Sequence, residues 1–163
     1  LLCEFANSIN AHLEEPSLLL EGVLDAAFET VDTERGFVAL VDEEGGGLIR
    51  ELVRDRSVEG PATRFSVSRT IVHRALKEGT SILLRDARED RRFANAASVR
   101  EQDIRSAVCV PLLFKSAALG IVYLDNRASA GRFDEGDLVF LAALGQLAGL
   151  ALGNARLHRR QVV

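Results

Sequence analysis

The chain contains no methionine, only two cysteines and, among 20 basic residues, only two lysines, Lys77 and Lys115. Each shortage excludes something. Without methionine, Leu1 is not expected to be a natural start, and the sequence reads as a domain cut from a longer protein. Cys3 and Cys109 lie far apart and form no CxxC or Cys/His spacing. No metal site is therefore expected, and a reducing, cytoplasmic setting is the simpler reading. His12, His73 and His158 have no companion at metal-ligand spacing either. The shortage of lysine leaves a cationic surface that is almost all guanidinium, a group suited to planar anion contacts, though codon bias in a GC-rich genome explains it more cheaply. No uninterrupted apolar run reaches the roughly 18 residues that cross a bilayer, and no signal peptide is visible, so no membrane partner is expected. A net charge of -4 gives no electrostatic reason for this segment to bind nucleic acid.

What is present is globular. The 163 residues are 47% apolar and 27% charged, enough for one domain with a real core and no disordered tract. Leu2, Phe5, Ile9 and Leu13 recur at helical spacing and predict an amphipathic helix over 1–13. Pro16 suits the first turn of a second helix, whose wide apolar face carries Leu20, Val23, Leu24, Ala27, Phe28 and Val31. Arg35-Gly36 reads as its break, Phe37–Val41 as a short buried strand and Leu48–Arg54 as a strand near a sheet edge. Gly45-Gly46-Gly47 between them lacks a following Lys-Ser or Lys-Thr, so it is a hairpin turn and not a phosphate loop.

Further on, residues 64–67 predict a short strand, and Ser68 caps a helix that runs to about Lys77 with Ile71, Val72, Ala75 and Leu76 on its buried stripe. Ser81–Leu84 is another strand. Residues 86–103 read as a long loop with helical turns around Phe93, and the charges of RDAREDRR (85–92) read as a solvated face. Two apolar runs, Ala107–Phe114 and Ala118–Leu124, flank a tight Lys115-Ser116 turn. Asp134 and Asp137 then open a long apolar helix in capping-box fashion. The order ααββ(β)αβ–loop–ββα means an α+β domain on a mainly antiparallel sheet. A hairpin feeding one long helix, with no nucleophile or metal cluster, points to a sensor and not an enzyme.

The segments GFVALVD (36–42), VSRTIVHRALKEG (67–79), LLRDAREDRRFANAASV (83–99), IRSAVCVPL (104–112), LGIVYLDN (119–126) and FDEGDLVFLAALGQLAGLALGNARL (133–157) resemble, in order and spacing, a GAF domain. The variety most similar is that of bacterial sigma-54-dependent (enhancer-dependent) transcriptional activators, with relatives in histidine kinases and nucleotide cyclases. The resemblance covers nearly the whole of 1–163. It implies a central antiparallel sheet of five to six strands, with the N-terminal helices and the long C-terminal helix on one face. The helix from Ser68 and the 86–103 segment would cover the other face and enclose a small-ligand pocket.

Val72, Phe93, Arg105 and Cys109 are the candidate ligand-binding residues; strand alternation puts Arg105, Ala107 and Cys109 on one face. No catalytic residue, metal or resident cofactor is expected, although a small molecule or a cyclic nucleotide is a conceivable ligand. Cyclic-nucleotide-binding members carry an Asn-Lys pair, then Phe, three residues and Asp-Glu. Asn126, Phe133 and Asp137 match that pattern, while Arg127 and Leu138 depart from it. One enzyme class of this fold reduces free methionine sulfoxide with several pocket cysteines; Cys109 is the one pocket cysteine here, in a run where an inert buried thiol is expected.

The last helix is apolar on two sides. Leu141, Leu144, Ala148, Ala151 and Ala155 should meet the sheet, and Phe140, Leu147, Leu150 and Leu157 should meet a second protomer in a homodimer. It would continue towards an attached output domain and carry the signal. The rival reading is a pure dimerisation scaffold with a collapsed pocket. Small Ala142, Gly145 and Gly149 would let the helix pack in more than one arrangement, so Gly149→Leu should alter output with the fold kept.

Overall fold

The computed structural model describes residues 2–4, 16–59, 69–93 and 95–161. Residues 2–4 are helical; the rest of the helix expected over 1–13, the strand expected over 64–67 and the Ser68 cap lie outside the described residues. The elements are α1 (Pro16–Thr30), β1 (Arg35–Val41), β2 (Leu48–Asp55), α2 (Arg69–Glu78), β3 (Ile82–Leu84), α3 (Ala97–Glu101), β4 (Ser106–Phe114), β5 (Ala117–Asn126) and α4 (Glu135–Gln161). The five described strands form one antiparallel sheet in the order β2-β1-β5-β4-β3. β2 is an edge strand, as expected from its broken apolar order.

Strand alternation sends successive side chains to opposite faces, and each face has its own helices. On one face Val38, Leu40, Val108, Val110, Leu112, Val122 and Leu124 pack with Leu20, Val23, Leu24 and Ala27 of α1 and Leu141, Leu144, Ala148 and Ala151 of α4. On the other, Phe37, Ala39, Ala107, Cys109, Ile121 and Tyr123 pack with Ile71, Val72 and Ala75 of α2 and with Phe93, Val99 and Ile104 beyond it. The six apolar residues predicted for α1, Val31 included, are all buried.

Two local devices are as predicted. Lys115 (φ 50) and Ser116 (φ 69) are both left-handed, the pairing that a two-residue turn needs to match the twist of β4 and β5. At the start of α4, the Asp137 amide donates to Asp134 Oδ1 at 2.8 Å and the Asp134 amide donates to Asp137 Oδ2 at 3.0 Å. The two aspartates thus satisfy each other's orphan amides.

Three expectations change. Arg35-Gly36 does not break α1, which ends at Thr30; it opens β1. Gly36 is required because a Cβ there would overlap the Phe28 ring. The glycines of this stretch of α4, Gly145, Gly149 and Gly153, serve the sheet and not a variable interface. A Cβ on Gly145 would come within 2.8 Å of the Pro111 carbonyl oxygen, one on Gly149 would collide with the Leu113 backbone, and one on Gly153 would enter the Phe114 ring. Gly149→Leu therefore cannot keep the fold. Glu135–Arg160, finally, is by length and composition apolar enough to cross a membrane, which a search for uninterrupted apolar runs misses. Its Leu141–Leu144–Ala148–Ala151 stripe is core packing on β4, the ordinary cause of such a composition in a core helix.

Candidate ligand-binding face

The face under α2 is built from short pieces. α2 rests on the sheet through Ile71, Val72 and Ala75, and ends at Gly79 in the left-handed region (φ 63), which a glycine adopts freely. The chain then returns through β3 and crosses the end of the sheet as residues 85–105. Phe93 anchors this segment. It is 1% exposed, with the Arg74 and Arg92 guanidinium carbons 5.6 and 5.3 Å from its ring centroid. Such cations over an aromatic face are attracted by its quadrupole. Arg92 is fixed in turn by donating to both Asp90 oxygens (3.1 and 2.9 Å) and to the Leu83 carbonyl (3.0 Å). The Arg92 bond holds the Asp90 carboxyl below its ordinary value, against the opposing effect of burial.

Of the four predicted site residues, Val72, Phe93 and Cys109 come together in this one cluster. Arg105 lies just before β4 at its rim. Its side chain is 26% exposed, and Nη2 stands 3.9 Å from Asp86 Oδ2, too far for a hydrogen bond. Its Nε is buried with no hydrogen-bond partner, as is Gln102 Oε1 at the end of α3. Beside them Ala87, Arg88, Val99, Arg100, Asp103 and Ile104 line a cavity of about 390 Å³. None of the four predicted residues lines it. Burial pushes the Cys109 thiol well above its ordinary value, which suppresses the nucleophilic thiolate.

The sequence reading missed the polar centre of this face. Arg35, Tyr123 and Asp125 alternate onto the same side as Phe37 and Cys109. Arg35 grips Asp125 with two parallel bonds, Nε to Oδ1 at 2.7 Å and Nη2 to Oδ2 at 2.6 Å. Tyr123 donates its hydroxyl to Asp125 Oδ2 at 2.8 Å. Thr33 donates to the Arg35 carbonyl at 2.9 Å. Arg35 is 5% exposed and Asp125 is fully buried. Burial alone would lower the Arg35 pKa, but the bond and charge of Asp125 outweigh it and raise it. Burial, and then the neighbouring Asp125 charge, drive the Tyr123 phenol well above its ordinary value. The group is thus a fixed ion pair with a neutral phenol, in the geometry a buried charge requires. A charged residue closing an apolar strand two positions after a tyrosine was the available signal.

The partial Asn-Phe-Asp pattern has structural work to do. Asn126 Oδ1 accepts the Glu34 amide at 2.7 Å, and Arg127 pairs with Glu34 at 2.8 Å. Phe133 is buried on the opposite face, with α1 and α4, and Asp137 caps α4. Among the described residues no group of three or more His, Cys, Asp or Glu could hold a metal ion. Cys3 is exposed and Cys109 buried, both as free thiols.

An antiparallel sheet with a helix-packed apolar face and a second face closed by one helix and a long crossing segment defines a class of small α+β domains. The GAF domain family model matches residues 15–153, and the chain belongs to that family. GAF domains are generally sensory or regulatory modules. Over 168 residues the chain is 26% identical to a probable 3′,5′-cyclic phosphodiesterase (pde-5) of Caenorhabditis elegans, an alignment that takes in 96% of this chain and 23% of that protein. It is 22% identical over 109 residues to hybrid signal transduction histidine kinase G of Dictyostelium discoideum, covering 67% of this chain and 3% of that one. The chain therefore spans under a quarter of either relative. The free methionine-R-sulfoxide reductase of Neisseria meningitidis, solved with its substrate, shares the fold: TM-score 0.71, 18% identity, 99% of this chain and 89% of that one.

Proposed function

We propose that this GAF domain is a non-catalytic sensor that binds a small ligand on the α2 face and pairs through α4 with a second copy to control an attached output domain. The observation that carries the ligand half is Arg105: a three-quarters-buried guanidinium whose inner N–H has no acceptor, beside a cavity on the segment that closes the face. A buried donor left unpaired costs free energy, and a ligand acceptor would recover it. Ala87, Val99 and Ile104 supply the apolar wall of that cavity, while Val72, Phe93 and Cys109 lie in the buried cluster of the same face. The test is native mass spectrometry of the purified protein, with Arg105→Ala as the comparison. A co-purified small molecule lost in the variant supports the reading; a ligand-free protein indifferent to the substitution favours the scaffold.

The pairing half rests on α4. Of the stripe expected to meet a second copy, Phe140 and Leu147 pack against the core instead, while Leu150 and Leu157, together with Val139, are 51, 38 and 69% exposed. Such a stripe wants a partner, and a stable two-fold dimer would bury about 1,000 Å² or more. Light scattering at tens of micromolar (about the range where such an interface holds) reports it directly, and a monomer there would count against it.

A non-enzymatic role fits the lone buried cysteine, whose thiol is pushed up by burial; measurable reduction of free methionine sulfoxide, abolished by Cys109→Ser, would overturn it. For the output we favour an enhancer-dependent transcriptional activator in the cytoplasm, on the segment pattern and the two unpaired cysteines. A kinase or cyclic-nucleotide-linked output is the second reading, favoured by the phosphodiesterase and kinase relatives. Titration with cyclic nucleotides separates the two.

A further inference from the structure

A second recess lies far from the α2 face, between the β1–β2 hairpin and the last turns of α4. It encloses about 350 Å³, within the range of small-molecule sites, over an apolar floor that includes Leu40, Ile49 and Leu152. Four guanidiniums, those of Arg50, Arg156, Arg159 and Arg160, line it. Two of them share one acid: Arg156 Nη1 and Arg160 Nη2 both stand 3.3 Å from the same Glu43 Oε1. Among the described residues, Arg50 and Arg159 have no hydrogen-bond or ion-pair partner. Asp42 and Glu44 line the recess too, and Asp42 accepts the Glu44 amide at 3.2 Å, which helps hold the hairpin. Arg50 is also left-handed (φ 54), a conformation that costs an L-residue energy, beside the register shift of β1 against β2. The bulge of β2 accounts for that backbone; what points to an anion is the excess of guanidinium, four against the three acids Asp42, Glu43 and Glu44 that line the same recess.

We propose that this recess binds a small free polyanion of the diphosphate class. Arginines suit that chemistry because the planar fork meets two phosphate oxygens at once. The anion would satisfy Arg50 and Arg159 and compete with Glu43 for Arg156 and Arg160. It would thereby release the hairpin's hold on the end of α4, an effect set by the difference in affinity between the held and released arrangements.

Isothermal titration of the intact chain with inorganic pyrophosphate tests this, with circular dichroism melting to confirm that each variant is folded. Binding should weaken about tenfold or more in the Arg50→Gly/Arg159→Ala double variant, because charge-assisted bidentate contacts are lost. Glycine is chosen at position 50 because it also relieves the left-handed strain. Glu43→Gln should bind several-fold tighter, since the competing carboxylate is gone. Absence of binding at millimolar pyrophosphate, binding indifferent to the double variant, or capture only by phosphatidylserine vesicles would each overturn the proposal. Because Arg105 and the α2 face are untouched, these outcomes are independent of the ligand reading above.

Discussion

The two faces of one sheet solve the same burial problem differently. The face under α1 and α4 is apolar over most of its area, with Ser106 and Asn126 buried at one end, and is contacted by two helices of 15 and 27 residues. The face under α2 is covered by a 10-residue helix and an 18-residue crossing segment from Asp86 to Asp103 that holds only the five residues of α3 as helix. Around its buried apolar side chains it also places an ion pair, a phenol and an unpaired guanidinium nitrogen. The first face has long elements in continuous contact, and the second has short ones tied down by specific polar and cation–aromatic contacts. Regions of the second kind open locally at lower free energy, which is where a binding site belongs.

The comparison breaks most violently at Gly149. Helix propensity alone would favour alanine there by about 1 kcal/mol, but a Cβ meets the Leu113 backbone, which cannot swing aside. Gly149→Ala should therefore destabilise by about 1–3 kcal/mol. Gly149→Leu should exhaust the ~5 kcal/mol at the low end of domain stability and unfold the protein. Urea denaturation distinguishes the two.

On the other face the largest effect is expected at Asp125. Asp125→Ala removes the carboxylate that the buried Arg35 grips with two bonds and should cost about 3–5 kcal/mol, whereas replacing both Arg35 and Asp125 with leucine should cost much less. Thermal melts of the single and double variants give the coupling. If the single variant were as stable as the parent, the ion pair would not be holding β1 to β5.

Smaller changes sharpen the contrast. Leu150→Glu touches an exposed position of α4, so stability should move by no more than about 0.5 kcal/mol, while, on the proposed α4 pairing, self-association in sedimentation should weaken. The Asp90–Arg92 clamp under Phe93 gives the smallest effect, about 1 kcal/mol at most. Its sign follows from the depressed Asp90 carboxyl: the contribution is present above about pH 4, the unfolded value, and is lost as the pH falls through the lower folded value. Protection of the Phe93 region from hydrogen exchange should decline over that window, and not in Asp90→Asn.

How legible each face was in the sequence follows from the same contrast. Helical and strand periodicity are local signals, and they marked five of the seven buried residues of α1, four buried residues of the sheet-facing stripe of α4 and the Lys115-Ser116 hairpin. They could not mark Arg35 with Asp125, because the partners are 90 positions apart and a charge at a strand end reads as loop. The four-residue spacing of Gly145, Gly149 and Gly153 was visible, but periodicity does not say whether a small residue faces a second helix or a strand backbone. Val72, Phe93 and Cys109 share one buried cluster because each is apolar, with Val72 on the inward stripe of α2 and Cys109 on the inward alternation of β4. The environment of Arg105 depends on how a weakly periodic 18-residue segment closes, which no local rule specifies.

The glycines that seat α4 on β4 make the pair behave as a keyed shaft. With Gly145 against Pro111 and Gly149 against Leu113, the helix cannot turn about its own axis without driving a neighbouring side chain into the strand's main chain. β4 also carries Ala107 and Cys109 on its far side. A tilt imposed on that strand from the α2 face would carry α4 with it through this contact, as rigid-body motion over 27 residues. A helix of that length, rising about 1.5 Å per residue, turns a small angle at the sheet into a larger displacement at its tip, with no hinge needed in between.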